Sequence, residues 1–241
     1  HPPLRRVCVH RALPAEKGHG ATGDLEEKVN DLELSKTLRP FADEAIVALP
    51  FKPPGWEEMK SGEGWWWSLA TGGDGKIYAS PGGANHVLQF DPETQSAKLL
   101  DTDLAEYGGP LKWLGCATAA NGCVYCIPCF ATKVLKVDPQ TQQVTTIGPT
   151  LSSESWKWVN CAVGADGCIY GIPHKSKSVL KIDPATDTVS TFGKLGEGKL
   201  KGKWCGGACG PDGFVYAMPH GARHVLKIDG KNETITAVGR D

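Results

Sequence analysis

The sequence contains four consecutive repeats of one pattern, and this periodicity constrains the fold more than any other feature. Each repeat has a Trp, then an Asp-Gly or Asn-Gly pair, a Tyr, a Pro and a segment such as VLKIDP. The glycine of the pair recurs every 45 to 47 residues, at Gly75, Gly122, Gly167 and Gly213. A period of this length is typical of an array in which one supersecondary unit is stacked on the next.

Each repeat predicts four short strands. The Asp-Gly pair is a strong hairpin signal that joins the first two strands. A loop after the Pro leads to a third strand such as VLKID, and a DPxT-type turn leads to a fourth that is rich in β-branched residues, such as TVSTF. Four strands in one repeat make a β-propeller blade. We therefore predict an all-β fold, a β-propeller of four-stranded antiparallel blades over about 65–104, 111–150, 156–195 and 202–241.

The repeated hairpin and the V-L-K-(I/V)-D-P segment that follows it resemble the blades of NHL, YVTN and SMP-30-like (streptogramin-lyase-like) propellers. The resemblance covers about residues 65–241 and implies the architecture. It does not select the chemistry, because propellers host enzymes and scaffolds alike. Four repeats also leave two alternatives open, which are a closed four-bladed ring and part of a larger ring completed by further sequence or by another copy.

Residues 1–43 lack the repeat and predict an N-terminal arm. The segment Asp24–Glu27 resembles a capping box, and Leu25, Val29 and Leu32 have the spacing of a short amphipathic helix. The segment Glu44–Phe51 looks like an extra outer strand, so the propeller is expected over 44–241. Because the chain starts at His1, the sequence also suggests a processed form or a piece of a longer product.

Composition excludes some partners. Lys and Arg number 26 and Asp and Glu 27, so the overall charge does not indicate nucleic acid or an anionic membrane. No apolar run approaches the roughly 18 residues that a membrane span needs, and we expect a soluble protein. The nine cysteines are scattered, which favours free thiols in a reducing compartment. In CVYCIPC, strand alternation sends Cys123 and Cys129 to one side and Cys126 to the other, a poor geometry for a zinc knuckle.

Aligned loop residues are expected to form rings at the mouth of the propeller channel. One residue after the recurring Pro, the ring contains Gly82, Cys129, His174 and His220. A thiolate and imidazoles could bind a divalent metal, so His174, His220 and Cys129 are candidate metal ligands. A second ring contains His86, Lys133, Ser178 and His224. The resemblance to SMP-30-like enzymes and streptogramin lyases keeps a metal-dependent hydrolase or lyase as an alternative function, with its site at the channel mouth.

Local charge on the same face suggests binding. The cations there are Lys175, Lys177, Lys199, Lys201, Lys203 and Arg223. The loop between the first two blades is acidic, with Asp101, Asp103 and Glu106. A face polarised in this way attracts an anionic ligand or an acidic protein surface.

The recurring residues are interpreted as structural. Trp113, Trp158 and Trp204 are predicted to pack within their blades, whereas the run Trp65–Trp67 and Trp156 do not recur, so one of these is a candidate for contact. No nucleophile with its base stands out. The leading hypothesis is a non-catalytic propeller used for ligand or protein binding, and a homo-oligomer or membership of a large complex is a further expectation.

Overall fold

The computed structural model describes residues 65–196 and 202–239. All of these residues belong to one compact unit, Leu49–Asp241. The arm predicted over 1–43 and the extra strand predicted over 44–51 lie outside the described residues, and so do Lys199 and Lys201.

The described residues form four antiparallel sheets of four strands each, and the predicted all-β propeller fold is confirmed. Blade one consists of β1 (Trp66–Thr71), β2 (Ile77–Pro81), β3 (Leu88–Asp91) and β4 (Ser96–Leu99). Blade two consists of β5 (Trp113–Thr118), β6 (Val124–Pro128), β7 (Val134–Asp138) and β8 (Gln143–Ile147). Blade three consists of β9 (Trp158–Val163), β10 (Ile169–Pro173), β11 (Val179–Asp183) and β12 (Thr188–Phe192). Blade four consists of β13 (Trp204–Cys209), β14 (Val215–Pro219), β15 (Val225–Asp229) and β16 (Thr234–Val238).

Two turns in each blade follow from local sequence. The glycine of the first hairpin has a φ between 80° and 83° in all four blades, which is the left-handed region that glycine enters without steric cost. At the second hairpin, the side chain of the recurring Asp accepts backbone N–H groups of its own turn, as Asp138 does from Gln140 at 2.9 Å. The turn then passes through a non-glycine residue of positive φ, at Gln95, Gln142, Asp187 and Glu233.

The recurring tryptophan closes the loop between the second and third strands. Its indole Nε1 donates to a carbonyl oxygen of that loop, from Trp113 to Lys133 at 2.9 Å and from Trp158 to Ser178 at 2.8 Å. Trp66 of blade one does the same to His86 at 3.0 Å. The four residues predicted as the second ring thus accept the indole hydrogen bond of their own blade with their backbone carbonyl oxygens.

Successive blades pack side by side through their innermost strands, β1 on β5, β5 on β9 and β9 on β13. An apolar cluster fills each of the three boundaries, with Tyr78, Tyr125 and Tyr170 almost fully buried. Among the described residues, β13 does not pack on β1 in this way. The innermost strands of blades one and four therefore lack the contact that joins each of the other neighbouring pairs of described blades.

Six of the cysteines in the described residues are buried, including all three of CVYCIPC. Cys126 lies opposite Cys116 in the β5–β6 pair. Every cysteine in the described part of the chain is a free thiol. Within those same residues, no helix has the length and apolarity that crossing a membrane requires.

Candidate functional site

A series of backbone hydrogen bonds runs from blade to blade along the loop face, the face formed by the loops after each recurring Pro. His174 N donates to Lys157 O at 2.9 Å, Lys203 N donates to His174 O at 2.8 Å, and His220 N donates to Lys203 O at 2.9 Å. The same alternation links Gly82, Lys112 and Cys129. The residues predicted as the first ring are therefore connected in space, at fixed positions along one face.

The lysine before the recurring tryptophan of blade three lies under this face. Lys157 is buried, and its Nζ donates to the carbonyl oxygens of Cys129, Phe130 and Glu154 at 3.0, 3.3 and 2.8 Å. Burial lowers the pKa of this ammonium group. Because a buried charge is costly unless it is hydrogen-bonded, the three carbonyl groups are what allow the ammonium to lie here, and they tie blade three to blade two.

The neighbouring blades repeat this contact. Lys112 Nζ donates to Gly83 O at 3.1 Å, and Lys203 Nζ donates to Lys175 O at 3.1 Å. Both lysines are buried, and burial lowers the pKa of each. We call these hydrogen bonds from Lys112, Lys157 and Lys203 to the preceding blade the lysine clamps. The sequence analysis did not predict them, although a Lys-Trp pair recurs in blades two, three and four and could have indicated a shared role for the lysine. Lys203, which the sequence placed among the ligand-binding cations, instead fixes the loop that carries Lys175.

Four rings follow one another across the loop face. The ring centroids of Phe130 and Trp156 are 5.9 Å apart, those of Trp156 and His174 5.5 Å, and those of His174 and His220 5.5 Å. Each ring comes from a different loop, so the row crosses blades two, three and four. We call these four side chains the aromatic row. His220 is exposed and the other three are half-buried.

Backbone geometry and one glycine hold the centre of the row. Trp156 has a φ of 60°, an unusual value for a bulky residue that costs energy and persists only where the surroundings impose it. Its carbonyl oxygen accepts a hydrogen bond from Lys175 N at 2.9 Å. His174 Nδ1 contacts Trp204 O at 3.1 Å. Gly202 has a φ of 78°, and a Cβ at this position would lie 2.5 Å from the His174 ring. The imidazole therefore fits only because residue 202 is a glycine.

The hydrogen bond also fixes the chemistry of His174. A carbonyl oxygen can only accept, so Nδ1 carries the proton and the neutral ring has its lone pair on Nε2. Burial, more than any other cause, lowers the pKa of this imidazole. The ring is thus neutral at neutral pH, and it offers an acceptor atom and a flat face rather than a charge.

Exposed cations lie beside the aromatic row. Lys175 and Lys177 follow His174 in its loop, and Arg223 lies in the loop of His220; all three are exposed. The acidic residues Asp101, Asp103 and Glu106 are exposed in the segment between blades one and two, where the Asp103 side chain accepts the backbone N–H of Ala105 at 2.9 Å.

The three candidate metal ligands do not form one cluster. His174 and His220 are neighbours, but the Cys129 thiol is fully buried, and burial raises its pKa to about 12. His86 Nδ1 donates to Leu100 O at 3.0 Å. In the part of the chain that the structure describes, no three His, Cys, Asp or Glu side chains form a group that could hold a metal ion.

The blade architecture defines a β-propeller, and comparisons agree at the level of the fold. No protein-family model matches the sequence, and no curated protein matches it either. The chain is similar to a catalytically inactive virginiamycin B lyase from Staphylococcus aureus solved with quinupristin, with a TM-score of 0.59 and 12% identity over 75% of this chain and 58% of the lyase chain. It is also similar to hydrazine synthase from Kuenenia stuttgartiensis, with a TM-score of 0.53 and 15% identity over 79% of this chain and 51% of that chain. The chain thus spans less than two thirds of either protein, and identities this low establish a shared fold alone.

Proposed function

We propose that the protein is a non-catalytic propeller that binds an anionic partner, a small ligand or an acidic protein surface, on its loop face. The observation that carries the proposal is the aromatic row with Lys175, Lys177 and Arg223 beside it. The backbone hydrogen bonds between blades and the hydrogen bonds of the buried lysines Lys112, Lys157 and Lys203 fix the loops in place. The surface is therefore formed before a partner arrives, and the loops lose little conformational entropy on binding.

Rings and cations contribute in different ways. Trp156 and the two imidazoles offer flat area with few rotatable bonds, which favours contact with a planar group. The exposed cations attract negative charge from a distance and raise the rate of encounter. The buried ammonium groups of Lys112, Lys157 and Lys203 add positive potential under the same face. An anion that carries a planar group uses both contributions.

Titration with pyrene tetrasulfonate, a planar aromatic anion, tests the proposal against sodium sulfate, which has the charge without the ring. We expect the aromatic anion to bind and to quench Trp156 fluorescence, and sulfate to compete weakly. Replacing Trp156 by Leu should weaken binding about tenfold, because stacking on one aromatic side chain contributes about 1–3 kcal/mol. Lys175→Glu combined with Lys177→Glu should weaken binding and remove most of its salt dependence.

Lys98→Glu is the matched control, because Lys98 is an exposed lysine on the outer strand of blade one. Compared with Lys175→Glu alone, it makes the same change of charge away from the aromatic row and should leave the affinity unchanged. Equal weakening by Lys98→Glu and Lys175→Glu would show a diffuse charge effect and contradict a defined site.

The metal-dependent hydrolase or lyase has a separate test. Elemental analysis of the purified protein, repeated on His174→Ala combined with His220→Ala, should find no stoichiometric ion that depends on these imidazoles. A bound ion that disappears in the double variant would favour the enzymatic alternative and contradict a purely anion-binding face.

A further inference from the structure

We propose that Cys116 and Cys126 are a redox-active pair that hydrogen peroxide converts into a disulfide between strands β5 and β6. Both thiols belong to the cluster at the boundary between blades one and two. The pair lies within two strands rather than on the loops that carry the aromatic row. The proposal therefore goes beyond the anion-binding function and does not depend on it.

The register of β5 and β6 places the two cysteines directly opposite each other. Cys116 directs its backbone N–H away from β6, to Ser68 Oγ at 3.3 Å. The two cysteines are therefore a non-hydrogen-bonded pair of the ladder, in which opposing Cα atoms are about 4.5 Å apart and the side chains are close. A disulfide accepts Cα separations of about 4.4–6.8 Å, so the bond requires no large movement of either strand.

Strand alternation gives this partner to one cysteine of CVYCIPC. Cys126 lies with Cys116 in the cluster between blades one and two, whereas Cys123 lies in the cluster between blades two and three. A third thiol, Cys161 of blade three, interacts with both members of the pair through charge, whereas Cys126 is hydrogen-bonded to Cys116. The register and the hydrogen bond thus select Cys126 as the partner of Cys116.

Four groups that can donate a hydrogen bond surround the sulfur of Cys116. Its Sγ atom lies 3.5 Å from Ser68 Oγ, and the hydroxyl and backbone N–H of Ser80 also bind it, as does the Cys126 thiol. The bond from Cys126 is the largest cause that lowers the pKa of Cys116, and the hydrogen bonds together outweigh burial. The same bond, together with burial, raises the pKa of Cys126 well above its usual value. Cys116 is therefore the thiolate of the pair, and Cys126 keeps its proton.

Access distinguishes the two thiols in the same sense. Cys116 keeps 9% of its surface exposed, and Cys126 keeps 1%. Hydrogen peroxide is little larger than a water molecule, so it reaches a thiol from which a bulky maleimide is excluded. Because the thiolate is the nucleophile, peroxide attacks Cys116 first.

The reaction has two steps. The Cys116 thiolate attacks one oxygen of the peroxide and the O–O bond breaks, which leaves a sulfenic acid on Cys116 and a hydroxide that takes up a proton to become water. The Cys126 sulfur then attacks the sulfenic sulfur, an S–S bond forms, and the thiol proton leaves with the hydroxyl group as a second water. Two thiols lose two electrons in total, and the peroxide gains them. A dithiol such as dithiothreitol reverses the change by thiol–disulfide exchange.

Peptide mapping of the full chain after treatment with hydrogen peroxide tests the pairing. Free thiols are blocked with iodoacetamide in urea, the sample is reduced, and the thiols that reduction releases are labelled with N-ethylmaleimide. Trypsin then yields the peptide Trp113–Lys133, whose four cysteines are Cys116, Cys123, Cys126 and Cys129. We expect the maleimide at Cys116 and Cys126 in equal amounts. Maleimide on another cysteine of this peptide, or on Cys161, in place of Cys126 would overturn the proposal, and so would none at Cys116.

Cys168 is the matched control within the same protein. It has the same exposed fraction as Cys116, 9%, but burial raises its pKa. We expect peroxide to oxidise Cys116 at least about tenfold faster than Cys168, because the thiolate is the reactive form. Equal rates would show that oxidation follows access alone and would overturn the proposal.

Three variants separate the roles of the residues. In Cys126→Ser, Cys116 should stop at the sulfenic acid, which dimedone added with the peroxide traps as an adduct. In Cys116→Ser, Cys126 should stay reduced. Ser68→Ala should slow oxidation of Cys116 about threefold, because the loss of thiolate is partly offset by a more nucleophilic sulfur.

Other results with these variants would overturn the assignment. They are the lack of a dimedone adduct in Cys126→Ser, oxidation of Cys126 at an unchanged rate in Cys116→Ser, and an unchanged rate in Ser68→Ala. Circular dichroism confirms that each variant is folded. The comparison of Cys116 with Cys168 uses the unmodified protein, so it decides the proposal even where a variant does not fold.

Discussion

The Nζ atom of Lys157 donates a 3.0 Å hydrogen bond to the carbonyl oxygen of Cys129, across the boundary between blades two and three. The same ammonium group also reaches Phe130 and Glu154, so one side chain serves three carbonyl groups. Lys157→Met keeps most of the volume but removes the donor. We expect the free energy of unfolding to fall by about 1–3 kcal/mol, the usual cost of leaving buried acceptors unsatisfied. Urea denaturation measures the change.

Lys98→Met is the matched control for this prediction. It deletes an ammonium group from the exposed strand β4 and should change the free energy of unfolding by less than about 0.5 kcal/mol. Equal effects of the two substitutions would contradict the clamp.

The blades could be predicted from sequence because their determinants are local. The Asp-Gly pair, the recurring Asp that binds its own turn and the tryptophan that closes a nearby loop all act within one repeat. The same pattern occurs in all four repeats, which makes the prediction of each blade support the others. The N-terminal arm has no repeat, and its predicted helix stays a prediction.

The aromatic row and the lysine clamps could be predicted only in part, because they depend on contacts between repeats. Lys203 is the last residue of the lysine-rich segment KLGEGKLKGK, which is typical of a solvated loop, yet its ammonium group is buried against a carbonyl 28 residues earlier in the chain. Trp156 was one of several non-recurring tryptophans that were candidates for contact, but its ring contact with His174 depends on a backbone φ of 60° that no pattern revealed.

Gly202 should control the position of His174. Gly202→Ala places a Cβ in the left-handed region, which costs about 1–2 kcal/mol, and also pushes against the imidazole. Gly167→Ala is the matched control, because Gly167 has a φ of 80° and no atom within 4 Å of the place that an added methyl group would occupy. We expect both variants to lose stability from the backbone, and only Gly202→Ala to weaken binding of pyrene tetrasulfonate. Equal affinity in the two variants would show that His174 does not contact the anion.

Thiol labelling should follow burial. Cys205 and Cys209 are exposed, whereas six other described cysteines are buried. Maleimides react with thiolates, and burial raises the pKa of Cys129 to about 12. We expect native labelling at the two exposed sites, faster at Cys209 because burial still raises the pKa of Cys205. Peptide mass spectrometry reads the sites, and labelling of Cys129 at the rate of Cys209 would contradict the described packing.

Tyr125 should make the protein sensitive to alkaline pH. The pKa of this phenol is raised to about 12, chiefly by burial and also by the hydrogen bond to Asp187, while the hydrogen bond from Asn121 opposes the shift. In the unfolded chain tyrosine ionises near about pH 10. The folded state therefore keeps a proton that the unfolded state has lost. Its contribution to stability is complete below about pH 10 and disappears as the pH rises to about 12.

Tyr125→Phe isolates this contribution. We expect the free energy of unfolding of the wild-type protein to fall by about 1–3 kcal/mol more than that of the variant between about pH 10 and pH 12, since one pKa unit corresponds to about 1.4 kcal/mol. Urea denaturation across this range measures the difference, and the near-ultraviolet absorbance of tyrosinate, wild type minus variant, should show one phenol that ionises late. Parallel pH profiles for the two proteins would mean that the Tyr125 phenol is solvated, and would contradict its hydrogen bond to Asp187 across the boundary between blades two and three.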